Sequence, residues 1–135
     1  MIDEHRHGFL LVEDDADTRD AFMALLEGEG YDGLAVSNGR EALDVLRRQH
    51  LRPCIILLDL AMPEMDGFDF RRAQLGDPEL AAIPVVVVSA GAYTKEAEAQ
   101  RLGMETFLRK PMDMDAFLSA IEQHCRRAGA AVARA

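Results

Sequence analysis

The chain has 135 residues, 49% hydrophobic and 29% charged, and its 15 basic and 24 acidic side chains give a formal net charge of -9. That length suits one domain with a real core, while the acidic balance argues against direct DNA binding, which asks for a basic stripe. No apolar run nears the ~18 residues of a spanning helix, and the polar start, Met1 to His7, is unlike a signal peptide, so the chain reads as cytoplasmic with no membrane partner.

In chain order, Gly8–Glu13 reads as a first strand. Ala16–Glu27 reads as a helix with Phe22, Leu25 and Leu26 on one face and Gly28 or Gly30 to end it. Leu34–Val36 is a short second strand, and Asn38 with Glu41 three residues on resembles a capping box opening a helix that carries Ala42, Leu43 and Leu46. Cys54–Leu58 is a third strand, followed by the loop Ala61–Met65 and, after Asp66-Gly67, a helix with Phe68, Phe70 and Leu75. Gly76-Asp77-Pro78 breaks that helix, and Pro84 opens a fourth strand, Val85–Val88. A weaker helical stretch from about Tyr93 to Leu102 ends at Gly103; Thr106–Arg109 is a fifth strand. Asp113 caps a fifth helix whose Met114, Phe117, Leu118, Ile121 and Cys125 recur at helical spacing, and residues 128–135 form a small-residue tail beyond a domain spanning 1–127.

Strands alternating with helices five times imply right-handed crossovers and an α/β, doubly wound parallel sheet. The strongest apolar runs mark the first, third and fourth strands as central. That pattern fits a flavodoxin-like five-stranded sheet of order 2-1-3-4-5 with five helices.

The chemistry collects where these strands stop. Leu10-Leu11-Val12 runs into Glu13-Asp14-Asp15, Ile55–Leu58 into Asp59, Val85–Val88 into Ser89, and Phe107-Leu108 leads to Lys110. The crevice at the carboxyl ends of such strands is where ligands bind. Converging carboxylates repel one another unless a cation lies between them, and magnesium, which takes oxygen ligands, suits the set. Zinc does not, since no His or Cys stands at these ends. Asp15 has a second reading as a helix N-cap. Asp59, with buried backbone and emergent carboxylate, is placed to act as a nucleophile on phosphorus. Lys110 is a point charge suited to phosphate oxygens, and Ser89 offers one hydrogen-bond donor. His5, His7, His50 and His124 show no ligand spacing, and Met62, Met65, Met112 and Met114 read as packing. Cys54 and Cys125, far apart and without C-x-x-C spacing, read as small buried hydrophobes of a reducing compartment.

On these motifs the chain resembles the receiver domain of bacterial two-component response regulators, chemotaxis receivers among them, over about residues 8–126. Leu11–Asp15 followed by Arg19 is similar to the family's acidic-pair segment, Leu57–Gly67 to its phosphoacceptor loop, Ser89-Ala90 to its switch position, and Lys110-Pro111 to its lysine motif. The resemblance implies that Asp59 is the phosphoacceptor. It implies a magnesium ion held by Asp14, Asp59 and the Ala61 carbonyl, with Glu13 acting through water. Lys110 and Ser89 would bind the phosphoryl group, and Ser89 and Phe107 would form the switch. Phe107 lacks the hydroxyl of a tyrosine. Ala61 and Gly91 fall where the family modulates phosphoryl lifetime; neither has a side chain able to orient water, so self-dephosphorylation is expected to be slow. The implied partners are a sensor histidine kinase or histidine phosphotransfer protein upstream. Downstream they are a protein target on the face of the fourth helix, fifth strand and fifth helix, for a stand-alone monomer or weak dimer.

Three other functions compete. A magnesium-dependent aspartyl-phosphate phosphatase of the haloacid-dehalogenase type needs a second Asp two residues after the nucleophile, and Ala61 stands there. A flavodoxin or nucleotide module wants donor-rich Gly, Ser or Thr in its first loop, and this one is acidic. A phosphorylation-independent interaction module remains as the alternative, the chain being read as a phosphoacceptor rather than an enzyme.

Overall fold

A computed structural model of the chain describes residues 8–59, 67–90, 100–104, 106–110 and 115–123, of which 89–90 and 106–110 are described through their backbone only. Its elements are β1 (Phe9–Val12), α1 (Ala16–Gly28), β2 (Gly33–Val36), α2 (Gly39–Arg47), β3 (Ile55–Leu58), α3 (Gly67–Leu75), β4 (Val85–Ala90) and β5 (Thr106–Lys110). Residues 100 and 101 and residues 115–123 are helical as well. All strand pairs are parallel, in the order β2-β1-β3-β4-β5. The chain therefore winds one way from β1 to β2 and the other way from β3 onward, which puts the switch point between β1 and β3.

Alternation along the strands divides the core into two layers. Leu10, Val12, Ile56, Leu58, Val85 and Val87 face one side, packed with Ala42 and Leu46 of α2 and Phe70 of α3. Phe9, Leu11, Ile55, Leu57, Val86 and Val88 face the other, against Phe22 and Leu26 of α1 and Phe117 and Ile121 of the C-terminal helix. Phe22 and Phe117 stack with ring centroids 5.1 Å apart, a contact worth about 0.5–1.5 kcal/mol beyond the area it buries. Because both faces are covered, β1 and β3 are buried at every position.

The helix starts follow their capping chemistry. Asp15 is the N-cap of α1: its carboxylate accepts from the Thr18 backbone N–H at 2.9 Å and the Thr18 hydroxyl at 2.6 Å. Asn38 caps α2 by accepting from the Glu41 N–H at 2.9 Å, and the Glu41 carboxylate reaches back to the N–H and hydroxyl of Ser37, both at 2.9 Å. The reciprocal bond thus lands one residue before the cap rather than on it.

Three expectations need correction. Leu75 does not join the buried face of α3: it is exposed, and the buried stripe is Gly67, Phe68, Phe70, Arg71 and Gln74. The strand ends shift by one or two residues, since β3 begins at Ile55 and β4 and β5 continue to Ala90 and Lys110. Cys54, buried just before β3, is disulfide-bonded where the sequence pointed to a free thiol; Cys125 lies outside the described residues, as do most of the expected fourth helix, the Asp113 cap and the 128–135 tail. Among the described residues no helix is long and apolar enough to cross a membrane.

Candidate functional site

The site forms because β1 and β3 run side by side in matched register, Val12 beside Leu58. The next residue on each strand is then held at the same sheet edge. Glu13 is tied by its N–H to the Val36 carbonyl at 3.0 Å, and Asp59 by its N–H to the Val12 carbonyl at 3.1 Å. One carboxylate oxygen each from Glu13, Asp14 and Asp59 lies within 4.8 Å of the others. Glu13 and Asp59 are buried and Asp14 is exposed, so the cluster joins two buried acids to one that is open to solvent.

Local bonds hold the first two acids in place. The Arg19 guanidinium donates to the Glu13 carbonyl at 3.0 Å, and the Asp15 N–H donates to the Glu13 carboxylate at 3.1 Å. Asp15 itself turns away into its capping role, so among the described residues three carboxylates gather here rather than four. The donor set is oxygen only, mixing buried and open positions. It suits a hard cation such as magnesium that keeps several waters and takes one or two carboxylates.

The other expected participants are reached through the backbone. Leu58 pairs with Val87, so β4 carries Ser89 past the level of Asp59 on the same edge. Ser89 pairs with Arg109, Ala90 with Lys110, and Phe107 with Val87. β5 therefore ends at the acid-bearing edge with Lys110. Ala61, at the loop after β3, and Gly91, after β4, lie outside the described residues.

Sequence reasoning missed one polar group. Arg71 and Gln74 occupy the inner stripe of α3, both buried. Their spacing from Gly67 and Phe70 is the signal, since positions 67, 70, 71 and 74 share one helix face.

The family model for the response regulator receiver domain matches residues 9–122. The chain is 36% identical to the polar-differentiation response regulator DivK of Brucella anthropi over 116 residues, 85% of this chain and 93% of that protein. Among solved structures it is similar to the signal receiver domain of a histidine kinase from Syntrophus aciditrophicus. That match has a TM-score of 0.79 at 30% identity, covering 89% of this chain and 90% of the other. A response regulator receiver protein from Pseudomonas putida matches with a TM-score of 0.79 at 31% identity, covering 86% and 95%.

Proposed function

Because the chain belongs to the response regulator receiver family, we propose that it is a switch in which Asp59 accepts a phosphoryl group from a phosphohistidine. One observation carries this reading: two buried acids and one open acid, from adjacent strand ends, lie within 4.8 Å of each other. In the reaction, an Asp59 carboxylate oxygen forms the bond to phosphorus while the phosphorus–nitrogen bond to the donor imidazole breaks, leaving an acyl phosphate. Asp14, Asp59 and the Ala61 carbonyl would hold a magnesium ion, with Glu13 reaching it through water. When bound, the ion neutralises phosphoryl oxygens that the acids would otherwise repel.

Lys110 supplies a fixed positive charge for the transferred group, and the Ser89 hydroxyl donates one hydrogen bond to it. Drawing Ser89 toward the phosphoryl group frees space that Phe107 fills, which alters the face around β5 and the C-terminal helix. In physical terms one new charge biases a two-state equilibrium. Ala61 and Gly91 carry no group to orient an attacking water, so the acyl phosphate is long-lived. The partners are a sensor histidine kinase or histidine phosphotransfer protein upstream and a protein target downstream, met in the cytoplasm without direct DNA contact by a monomer or weak dimer. The chain acts as a phosphoacceptor and not as an enzyme on other substrates.

The test is incubation with acetyl phosphate and magnesium followed by intact-mass measurement. Wild type should gain one phosphoryl group and Asp59→Asn none. An unmodified wild type, or equal labelling of the variant, would move the chain to a phosphorylation-independent interaction module.

A further inference from the structure

We propose that Arg71 is a positioning residue that clamps the turn entering β5 onto α3, linking the segment after Asp59 to the strand that carries Phe107 and Lys110. Arg71 is buried in the inner stripe of α3, and burial lowers its pKa from the ordinary value. A guanidinium stays charged nonetheless, so its contacts must compensate a cation. Among the described residues no carboxylate does this. Its Nε donates to the Leu102 carbonyl at 2.8 Å and its Nη1 to the Gln74 side-chain oxygen at 2.7 Å.

The Leu102 carbonyl ends a helical turn. Residues 100 and 101 are helical, the Gly103 N–H donates to the Gln100 carbonyl at 2.9 Å, and Gly103 has φ +80°. A cation beside the last carbonyls of such a turn satisfies an orphan acceptor. Gly103 is needed for its left-handed backbone, and a Cβ there would stand 3.0 Å from Arg71 Nη2, so the guanidinium would have to give by a few tenths of an ångström. Gln74 extends the clamp by donating to the Leu80 and Ile83 carbonyls at 2.9 and 3.0 Å, just before β4. One side-chain pair on α3 thereby fixes the approaches to both strands that bring Ser89 and Lys110 to the site. Directly after Gly103, Met104 is fully buried in the same core layer as Phe70, so displacement of the turn is felt in that layer.

The link to phosphoryl binding rests on the function proposed above; the clamp itself does not, and two measurements separate them. The first is amide hydrogen exchange of full-length wild type, Arg71→Gln and Arg71→Lys. Loss of a charge-assisted bond should speed exchange at 100–104 on the order of ten- to hundredfold in Arg71→Gln while β1 and β3 stay protected. Arg71→Lys, which keeps the charge but not two directed donors, should fall between, and it also serves should Arg71→Gln not fold. The second is the affinity for beryllofluoride in magnesium, a phosphoryl mimic, which should change about fivefold or more in Arg71→Gln. Unchanged exchange at 100–104, or equal loss of protection in β1 and β3, overturns the clamp. Local exchange with unchanged beryllofluoride affinity overturns its coupling to the site. A wild type that binds no beryllofluoride defeats the proposed function and leaves the clamp to be decided by exchange.

Discussion

Replacing Asp59 by Asn keeps the size of the side chain and removes one of three clustered negative charges. At 4.8 Å, a pair of unit charges repels by roughly 0.9 kcal/mol in a water-like medium and about 3.5 kcal/mol at an effective dielectric constant of about 20. Asp59 has two such partners, Glu13 and Asp14. The open position of Asp14 screens one of these pairs. The expected outcome in EDTA is therefore a variant more stable than wild type by about 1–2 kcal/mol, or roughly 3–10 °C in Tm for a domain of this size. Magnesium should reverse the ranking. On the proposed function, wild type should gain about 1.4 kcal/mol at tenfold the dissociation constant of the ion, and Asp59→Asn, with one carboxylate fewer, should gain far less. Thermal unfolding by circular dichroism, with and without magnesium, reads both effects. Equal stability in EDTA together with an equal gain in magnesium would refute the electrostatic reasoning.

Other substitutions probe the frame. A Cβ on Gly33 would lie 2.5 Å from the ring of Phe9, which is fully buried and has nowhere to move. Gly33→Ala should therefore cost about 1–3 kcal/mol in denaturant unfolding, and an unchanged midpoint would contradict the packing. His50 adopts φ 56°, a conformation costly for any residue with a Cβ. His50→Gly should stabilise by about 0.5–1 kcal/mol after the added freedom of the unfolded chain is counted, again read from the denaturation midpoint. Hydrogen bonds from the Ser37 N–H, and next from its hydroxyl, hold the Glu41 carboxyl below its usual pKa. A lowered folded-state pKa contributes stability that is present above the unfolded value of about 4.3 and lost as pH falls through the folded one. Acid titration of stability should thus be shallower below that point in Glu41→Gln than in wild type.

What could be read in advance, and what could not, follows from the range of each interaction. Runs such as Ile55–Leu58 announce a strand covered on both faces, because no other setting buries four consecutive apolar side chains in extended backbone. Caps were equally legible: Asp15 and Asn38 act on residues three positions away, so the sequence window contains both partners. The acid cluster was legible one step further, since strand order alone brings the residues after Val12 and Leu58 together. Strand ends were less so, because a strand stops where its neighbour stops, and that neighbour is remote in the chain.

Arg71 marks where such reading fails, and the failure has a physical cause. Periodicity treats a charged residue on an apolar face as a flaw in the pattern, so it groups Leu75 with Phe68 and Phe70 and passes over Arg71 and Gln74. Burial of a polar side chain is tolerated only when its partners are supplied, and the acceptor at Leu102 lies 31 positions away. No local window holds that carbonyl. A polar residue on an otherwise apolar stripe can therefore be read as a demand for distant acceptors. Here the demand is met by a helix end and a strand approach, the places where backbone carbonyls are left over. The same reasoning explains why Gly103 and Arg71 belong together: glycine supplies the positive φ of the turn, and a Cβ there would press on the buried guanidinium at 3.0 Å.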